Sequence, residues 1–516
     1  MTIRIGIDVG STHTDGVALD GNNKLLTQVK LRTTPDVTTG LFETLRTVIE
    51  NLGGSKKEIK QTMIGTTHGL NSITSRVGLS EVLAIRIGLP AGEGIPPLSD
   101  WPEKLKTAIG NNVIMVRGGH EYTGEEIVEF NEDELRDKLK EYKGRLSSVA
   151  ITSIFSFVNP DHELRAESIV REVLGEDVLV TLSNKISSLG LLERENSTIL
   201  NAAIRPLMTR VISSIEEVFE RLNINNVNLY FAQNDGTVAS SEFVRKFPIF
   251  TVAGPISNSI RGAYVLTGEE NAVVFDIGGA TTNIGVLTHG YPRESSNPIY
   301  IGGVRTNFRM PDILSIPLAG GTIIGDKIGP ETVGYRLNEE ALSFGGDTLT
   351  ATDVALNIGN IDLDGTDRTK VMKKHSMEYL HNIYSEMLRM WEESLDKVKM
   401  MAGDTKLISV GGGGFMIFNK IKGSSQLIRP ENAQFANAIG AATSLIGARV
   451  DKAYSYDSVK RENAVDETIR QAKALCEEAG AIPSSIDVKE VEEVSMPYLP
   501  GNSVKLTVKV VGKMSE

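Results

Sequence analysis

Asp8-Val-Gly-Ser-Thr-His-Thr-Asp15 returns later in the chain as Asp276-Ile-Gly-Gly-Ala-Thr-Thr-Asn283, at a constant offset of 268 residues. Leading into the first copy, isoleucine or valine occupies every second position from residue 3 to residue 9. Another apolar run follows the copy at residues 17–19. This period-2 pattern predicts a strand, a polar turn and a returning strand. Because the unit occurs once in each half of the chain, the sequence predicts two related lobes with a cleft between them.

Both turns are rich in residue types that bind phosphate. Backbone N–H groups in glycine turns can converge on an anion with Ser and Thr hydroxyls, and a third glycine cluster follows an apolar run at residues 407–410. An aspartate cannot approach a phosphate favourably without a cation, so Asp8 and Asp276 are predicted to bind Mg²⁺. The predicted nucleotide-binding residues are Gly10, Ser11, Thr12, His13, Thr14, Gly278, Gly279, Thr281, Thr282, Gly411, Gly412 and Gly413.

One loop of this kind has a second interpretation, an ordinary hairpin with a buried aspartate. Two loops in register favour nucleotide binding, because one loop on each lobe can hold a triphosphate from opposite sides. A P-loop is excluded, since the chain has no Gly-x-x-x-x-Gly-Lys-Ser/Thr sequence. The glycine spacing after the first strand also departs from the Rossmann pattern.

Composition and charge exclude several classes of protein. The 516 residues are too many for one ordinary core, and the net charge of −12 argues against nucleic acid or an anionic membrane as the main partner. The single cysteine, Cys476, excludes an internal disulfide and an all-cysteine metal site. The N-terminus lacks the apolar stretch of a signal peptide, and no run of 18 apolar residues occurs, so we expect a cytoplasmic protein.

The repeated loops and a shift to charged residues after Val450 suggest three segments. Helices are predicted at residues 38–51, across 191–222 and at 464–479, with short strands at 486–491 and 503–511. The predicted units are 1–185 with the first phosphate loop, 186–450 with the second loop and the adenosine-binding glycine cluster, and 451–516, a small C-terminal α+β unit.

The long helix at residues 191–222 carries two further expectations. Pro206 should kink this helix or begin a second one. Arg194 and Asn201 could face the cleft, but the expectation is that they form a polar side facing water.

The order of the two loops and the glycine cluster resembles the actin, Hsp70 and sugar-kinase superfamily. That resemblance implies an α/β, two-lobed ATPase fold in which duplicated mixed-sheet domains flank a nucleotide cleft. Further segments, spread over nearly the whole chain, resemble the hydantoinase A/oxoprolinase family in the same order. They are Gly65-Thr-Thr-His-Gly-Leu-Asn71, Asn159-Pro-Asp-His-Glu-Leu-Arg165, Glu193-Arg-Glu-Asn-Ser-Thr-Ile-Leu-Asn201, Ala253-Gly-Pro255 and Phe275-Asp-Ile-Gly-Gly-Ala-Thr-Thr-Asn283.

The family resemblance implies chemistry that depends on ATP and Mg²⁺. Its members include cyclic-amide hydrolases and ketone carboxylase subunits, and the implied shared step is phosphorylation of a carbonyl or amide oxygen. The implied substrate is a hydantoin, oxoproline or related lactam, and members often work with a separate hydantoinase B-type subunit. We therefore expect an ATP-dependent hydrolase subunit that promotes ring opening.

When it is carried over residue by residue, the resemblance implies that Asp8, Asp15 and Asp276 are the catalytic acids. Asp15 would act as the base or as the residue that orients the metal. Thr66, Thr67 and Asn71 are candidate substrate or phosphate contacts, because a polar Thr-Thr loop offers both hydroxyls and N–H groups. The alternative for that segment is an ordinary turn whose side chains bond with one another.

Both loops depart from the family pattern. Ser11 and His13 replace a glycine and an aromatic residue in the first loop, and Asn283 replaces an aspartate in the second. The lost carboxylate favours an alternative function, an ATP-binding regulator or reactivating factor without its own small-molecule substrate. A small-molecule kinase is a further alternative.

The run Asp161-His-Glu163 contains three residue types that bind metals. Consecutive side chains do not converge readily on one ion, so we expect these residues to cap or orient the helix that follows.

Overall fold

The computed structural model describes residues 2–10, 13–32, 37–53, 55–224, 227–295, 299–308, 310–399, 402–497 and 501–514. Within these ranges the strands are β1 (Ile3–Val9), β2 (His13–Leu19), β3 (Leu25–Arg32), β4 (Ile59–Thr66), β5 (Leu83–Leu89), β6 (Asn112–Arg117), β7 (Ser148–Ser153), β8 (Leu179–Leu182), β9 (Asn228–Ala232), β10 (Val238–Ser240), β11 (Ala272–Ile277), β12 (Thr282–Thr288), β13 (Tyr291–Pro292), β14 (Ile299–Ile301), β15 (Val304–Thr306), β16 (Ile313–Ile316), β17 (Thr322–Ile324), β18 (Ile328–Thr332), β19 (Thr405–Val410), β20 (Ser424–Ile428), β21 (Ile446–Ser455), β22 (Asp487–Ser495) and β23 (Ser503–Gly512).

The α-helices of the same ranges include the three that periodicity predicts. They are α1 (Val37–Asn51), α2 (His68–Ser75), α3 (Glu103–Ala108), α4 (Glu132–Leu139), α5 (Asp161–Leu174), α6 (Leu191–Arg221), α7 (Ser241–Lys246), α8 (Gly254–Thr267), α9 (Leu337–Glu340), α10 (Ala351–Ile358), α11 (Arg368–Lys374), α12 (Met377–Val398), α13 (Ala436–Thr443) and α14 (Arg461–Glu478). None of these helices is both long enough and apolar enough to cross a membrane.

The first lobe is built on a nine-stranded sheet with the order β22-β23-β21-β10-β9-β4-β1-β2-β3. Its central strand β1 pairs antiparallel with β2 and parallel with β4, and its isoleucines are buried in the largest core cluster. Strands from all three predicted segments meet in this sheet, because β21, β22 and β23 return to it from the C-terminal part of the chain. The division at residues 185 and 450 stays a prediction about domains.

The second lobe repeats the same local topology. Its sheet has the order β13-β12-β11-β19-β20, with β16 also paired to β12. Strand β11 pairs antiparallel with β12 and parallel with β19, as β1 pairs with β2 and β4. In each lobe one more parallel strand continues the sheet, β9 beside β4 and β20 beside β19. The predicted two-lobed α/β fold with duplicated mixed sheets is confirmed.

A third sheet, entirely parallel and with the order β6-β5-β7-β8, packs against the N-terminal half of α6. The expectation that Arg194 and Asn201 face water was wrong, because this packing leaves them 1% and 0% exposed. Arg194 instead donates to the carbonyl oxygens of Ser153 and Ser188 at 2.7 and 2.6 Å. Helix α6 continues through Pro206, so no second helix begins there.

Helices α8 and α13 cross between the two lobes. Helix α13 packs on β1, β2 and β4 of the first sheet, while α8 contacts strands of both sheets. A side chain at Gly262 would overlap the carbonyl oxygen of Ala436, and one at Gly440 would overlap that of Asn258. The absence of Cβ atoms at these two positions therefore sets how closely the helices, and with them the lobes, approach.

Replacing Gly440 by alanine tests this crossing. Alanine has the higher helix propensity, by about 1 kcal/mol, yet we expect a net loss of about 1–3 kcal/mol of unfolding free energy, because the methyl group forces the helices apart. Urea denaturation of Gly440→Ala measures this loss. Gly94→Ala, at a site where a Cβ meets nothing within 4 Å, is the matched control. Equal stability of the two variants would contradict the proposed role of the crossing.

Candidate active site

The two repeated loops adopt the same backbone turn. The Gly10 N–H donates to the His13 carbonyl at 3.0 Å, and the Gly278 N–H donates to the Thr281 carbonyl at the same distance. In the adjoining ladders Asp8 lies opposite Asp15, as Asp276 lies opposite Asn283. The sequence repeat is therefore also a structural repeat, and it places one aspartate at the end of the first strand of each hairpin.

Asp8 lies in a setting that disfavours its charged form. Its side chain is buried, and burial, followed by the charges of Asp15 and Asp276, raises its pKa to about 8. The Asn437 amide donates to Asp8 Oδ2 at 3.3 Å, whereas Oδ1 has no hydrogen-bond partner within the described ranges. Burial also raises the pKa of Asp276, opposed by hydrogen bonds from Ser259 and Asn437. Because the charge of Asp276 raises the pKa of Asp8 and Asp8 keeps an oxygen that is unpartnered in the described part of the chain, this pair of acids is suited to a cation.

Three polar residues of the crossing helices belong to this cluster, and sequence reasoning did not find them. Asn258 and Ser259 lie on α8 and Asn437 on α13. Both amide atoms of Asn258 and the Oδ1 of Asn437 have no partner among the described residues. A Cβ on Gly65 would lie 2.8 Å from Asn258 Nδ2 and 3.0 Å from Asp8 Oδ1, so the amide and the acid flank the same glycine. These unsatisfied buried groups fit a site that takes up an ion and a polar ligand.

The glycine cluster that follows β19 lies directly against the second loop. The Gly413 N–H donates to the Ile277 carbonyl at 2.8 Å, and a side chain at Gly411 would overlap the carboxylate of Asp276. Gly411 has a φ of +83°, a conformation that glycine adopts without strain. On the other side of the loop, the N–H groups of Gly320 and Gly321 bond to the carbonyls of Gly278 and Gly279. The structure therefore brings the second and third predicted nucleotide segments together.

The hydroxyls of the predicted threonines are placed unequally. Thr14 and Thr282 are fully buried, and the Thr282 hydroxyl donates to the Leu318 carbonyl, whereas Thr281 is exposed. Ser11 and Thr12 lie outside the described residues. Of the three described threonines, Thr281 has the most exposed side chain.

Asp15 is held by a lysine that the sequence reasoning also missed. Lys30 Nζ lies 2.8 Å from both carboxylate oxygens of Asp15, since β3 places Lys30 opposite Asp15 in the ladder. Burial, and then the charges of Lys30 and Arg32, lower the pKa of His13 to about 4, so His13 is neutral near pH 7. The first loop therefore carries a fixed cation beside its two acids. At the equivalent position of the second loop, Asn283 accepts a hydrogen bond from Ser315 Oγ at 2.6 Å.

The predicted substrate segment lies next to the first loop. Gly65 and Thr66 end β4 opposite Asp8 and Val9 of β1. The Thr66 hydroxyl accepts from the His68 N–H at 3.2 Å, and Asn71 Nδ2 donates to the Thr67 hydroxyl at 3.2 Å. The segment is thus adjacent to the acids, and its side chains bond with one another, so the assignment of Thr66, Thr67 and Asn71 as substrate contacts stays a prediction.

Comparison with known proteins identifies the family. Residues 4–174 match the hydantoinase/oxoprolinase N-terminal region, and residues 194–378 match the hydantoinase/oxoprolinase model. The chain belongs to the hydantoinase/oxoprolinase family. The predicted family membership is confirmed, and the two matched regions contain the first and second loops respectively.

Several relatives are similar over much of the chain. An uncharacterized protein of Methanocaldococcus jannaschii is 24% identical over 586 residues, covering 100% of this chain and 83% of that protein. The caprolactamase subunit alpha of Pseudomonas jessenii is 27% identical over 390 residues, which cover 69% of this chain and 54% of that subunit. The acetophenone carboxylase gamma subunit of Aromatoleum aromaticum is 25% identical over 403 residues, which cover 70% of this chain and 53% of that subunit. The matches thus span about half the length of these last two relatives.

Two solved structures share the architecture. The ATP-dependent caprolactamase of Pseudomonas jessenii superposes with a TM-score of 0.80 at 18% identity, covering 99% of this chain and 88% of that one. A nucleotide-free acetone carboxylase gives a TM-score of 0.66 at 17% identity with the same coverage. At these identities the likeness establishes the fold.

The electrostatics of Asp8 predict a pH dependence of stability. Its raised pKa means that the folded chain binds more protons than the unfolded chain between about pH 4 and pH 8. The free energy of unfolding should therefore fall as the pH rises through this window, by up to about 1.4 kcal/mol per pH unit from this group. Asp8→Asn removes the titration and should flatten the slope measured by urea denaturation. Asp133→Asn, at an exposed acid of α4, should retain the wild-type slope, and equal slopes in all three proteins would contradict the assignment.

Proposed function

We propose that this chain is the ATP-dependent subunit of a cyclic-amide hydrolase. In this proposal it transfers the γ-phosphoryl group of ATP to a carbonyl or amide oxygen of a hydantoin, oxoproline or related lactam, which promotes ring opening. The observation that carries the proposal is the meeting of Asp8 and Asp276, on two copies of one loop, beside unsatisfied amides of the crossing helices. Membership of the hydantoinase/oxoprolinase family supports the substrate class.

The chain's own residues divide the work of binding. The N–H groups of Gly10 and Gly278 are used within the two turns, and further backbone N–H groups of these turns would bind the phosphates. The segment at residues 411–413 would contact the nucleotide beside the second loop. Asp8 and Asp276, with the amide oxygens of Asn258 and Asn437, would hold Mg²⁺. The bound ion would neutralise phosphate charge and fix the phosphates in place.

Lys30 and Asp15 complete the first side of the cleft. Lys30 supplies a positive charge near the phosphates, where negative charge is redistributed during phosphoryl transfer. Its two contacts with Asp15 hold that carboxylate in one orientation, which suits the proposed role of Asp15 as base or metal orienter. Phosphorylation activates the adjoining carbon to attack by water. The ring C–N bond then breaks, the ring nitrogen leaves with a proton, and a second water hydrolyses the resulting acyl phosphate to a carboxylate and inorganic phosphate.

A hydantoinase B-type subunit is the proposed partner. The caprolactamase and acetophenone carboxylase relatives are both subunits by name, and an acetone carboxylase relative is a beta subunit. Each match covers only slightly more than half of those chains, so the need for a partner is carried over to this chain as a proposal. A separate subunit can supply the remainder of the substrate site.

One observation favours a second candidate function, an ATP-binding regulator without its own small-molecule substrate. Asn283 occupies the position equivalent to Asp15, and Ser315 holds it by a hydrogen bond. An amide at this position cannot act as a base, and only the first loop carries the paired acid and lysine. The second loop can therefore bind nucleotide without taking part in catalysis, as a regulator requires.

The deciding experiment is ADP release from Mg²⁺-ATP by the purified protein, with a panel of hydantoins, oxoproline, lactams and ketones. Stimulation by one cyclic amide, lost in Asp8→Asn and kept in Asp133→Asn, supports the hydrolase. A stimulating compound that is recovered phosphorylated and with its ring intact identifies a kinase instead. Tight ATP binding without stimulation, also in the presence of a B-type subunit, favours the regulator, and absence of ATP binding contradicts all three.

The close approach of Gly411 to Asp276 predicts that a side chain at residue 411 lowers the affinity for nucleotide. Gly411→Ala places a methyl group against Asp276 and strains the backbone, so the affinity for Mg²⁺-ATP should fall at least about tenfold, or 1.4 kcal/mol. Isothermal titration calorimetry measures the change. Gly325→Ala, in an exposed turn where a Cβ meets nothing within 4 Å, should bind as the wild type does. Wild-type affinity in Gly411→Ala would contradict the assignment of residues 411–413 to the nucleotide site.

A further inference from the structure

A second cluster of ligating side chains lies away from the nucleotide loops, at the third sheet. It contains His120, which follows β6, together with Glu126 and His162, the latter in the first turn of α5. One ligating atom from each of the three lies within 4.8 Å of the others. The imidazole rings of His120 and His162 are 4.1 Å apart between centroids.

The backbone builds this cluster from a short hairpin. The Ile127 N–H donates to the Gly119 carbonyl at 2.9 Å, and the Glu121 N–H donates to the Glu125 carbonyl at 2.7 Å. Between these bonds His120 and Glu126 lie directly opposite one another as a bridge pair. Cross-strand neighbours in such a pair are close enough for their side chains to meet.

Helix α5 supplies the third group. Of the run Asp161-His-Glu163, the outer two side chains bond elsewhere: Asp161 pairs with Arg165 at 3.1 Å, and Glu163 accepts from the Ser153 N–H at 2.8 Å. His162 alone turns toward the hairpin, where its Nε2 lies 2.9 Å from Glu126 Oε1. The three consecutive residues diverge, as the sequence suggested, but His162 joins ligands from a different part of the chain.

The cluster contains an unsatisfied donor or acceptor in a buried place. His120 is 1% exposed, and its Nδ1 has no hydrogen-bond partner within the described residues. A buried ring nitrogen without a partner is unfavourable unless a ligand supplies one. The Glu126 side chain is 44% exposed, so the site is open to solvent on one side.

We propose that His120, Glu126 and His162 bind one divalent transition-metal ion of the zinc class. Two imidazoles and one carboxylate form the donor set of open zinc sites, in which the remaining position is left to water or substrate. Imidazole donors also distinguish this site from the oxygen-only environment that Mg²⁺ prefers. The site lies at the carboxyl end of parallel strands, the edge at which open α/β sheets bind ligands.

The ring of His162 must change tautomer when the ion binds. Its Nδ1 accepts from the Gly119 N–H at 3.0 Å, which places the ring proton on Nε2, toward Glu126. Coordination through Nε2 moves that proton to Nδ1, so the Gly118–Gly119 peptide must turn its carbonyl toward the ring. Glycine lies on both sides of this peptide, with φ of +143° and +105°, and no Cβ opposes the turn.

Co²⁺ titration of the full chain, after treatment with a chelator, tests the site independently of the proposed function. We expect one equivalent to bind with the visible absorption bands of a four- or five-coordinate ion, and Zn²⁺ to displace it. His120→Asn and Glu126→Gln should each weaken Co²⁺ binding at least about tenfold. His381→Asn, at an exposed histidine of α12, should titrate as the wild type does.

Thermal unfolding provides the second readout. Zn²⁺ should raise the Tm of the wild type and of His381→Asn, and should leave that of His120→Asn unchanged, because a ligand that binds only the folded state stabilises it. Glu126 is partly exposed, so Glu126→Gln keeps the test valid if His120→Asn does not fold. Wild-type protein that binds less than one equivalent at about 100 µM Co²⁺, or a Glu126→Gln variant that titrates like the wild type, would overturn the proposal.

Discussion

The contact on which the site depends is the crossing of α8 and α13, where Gly262 and Gly440 each lie against a carbonyl oxygen of the opposite helix. Two duplicated sheets alone do not fix how closely two lobes approach. The crossing sets this separation, since α13 packs on the first sheet and α8 contacts both. It also positions Asn258, Ser259 and Asn437, which project from the same two helices toward the acids of the loops. Helix packing and ligand chemistry are therefore determined by the same short segments.

The electrostatics of the cleft follow from this arrangement. Two hairpins of like sequence bring like charges together, and burial removes the water that would screen them. A carboxylate oxygen on Asp8 and three amide atoms are left unsatisfied, each costing about 1–3 kcal/mol unless a ligand supplies a partner. Such a cluster destabilises the folded chain, and the most direct physical reason to keep it is an ion and a polar ligand that complete it. Lys30 offsets the charge on one side only, so the two otherwise equivalent loops are electrostatically different.

The sequence was most informative where local pattern and chemistry coincide. The alternation at Ile3 to Val9 and the repeat at Asp276 predict both hairpins and the duplicated fold, because period 2 and a glycine turn are local properties. Lys30, Asn258 and Asn437 were missed, since their roles depend on ladder register and on a helix crossing between distant segments. Arg194 was misplaced for the same reason: nothing in the pattern of α6 indicates that a parallel sheet covers it. The alanines and the glycine at residues 438–442 are typical of a closely packed helix, and they are the clue that the sequence offers to the position of Asn437.

One geometric rule unites both candidate sites. In each lobe the acid lies where β1 and β4, or β11 and β19, end side by side as parallel neighbours. The histidine cluster lies where β6 and its parallel neighbour β5 end. Parallel strands need long returns, so their carboxyl ends carry loops and helix starts that are free to hold polar groups, while the strand interiors stay apolar. The chain uses this edge three times. Two of these edges, one in each lobe, bring the repeated loops together at the crossing of α8 and α13. This arrangement suits a ligand held from two sides. The third edge faces solvent through Glu126, which suits an ion held by the chain on one side and open on the other.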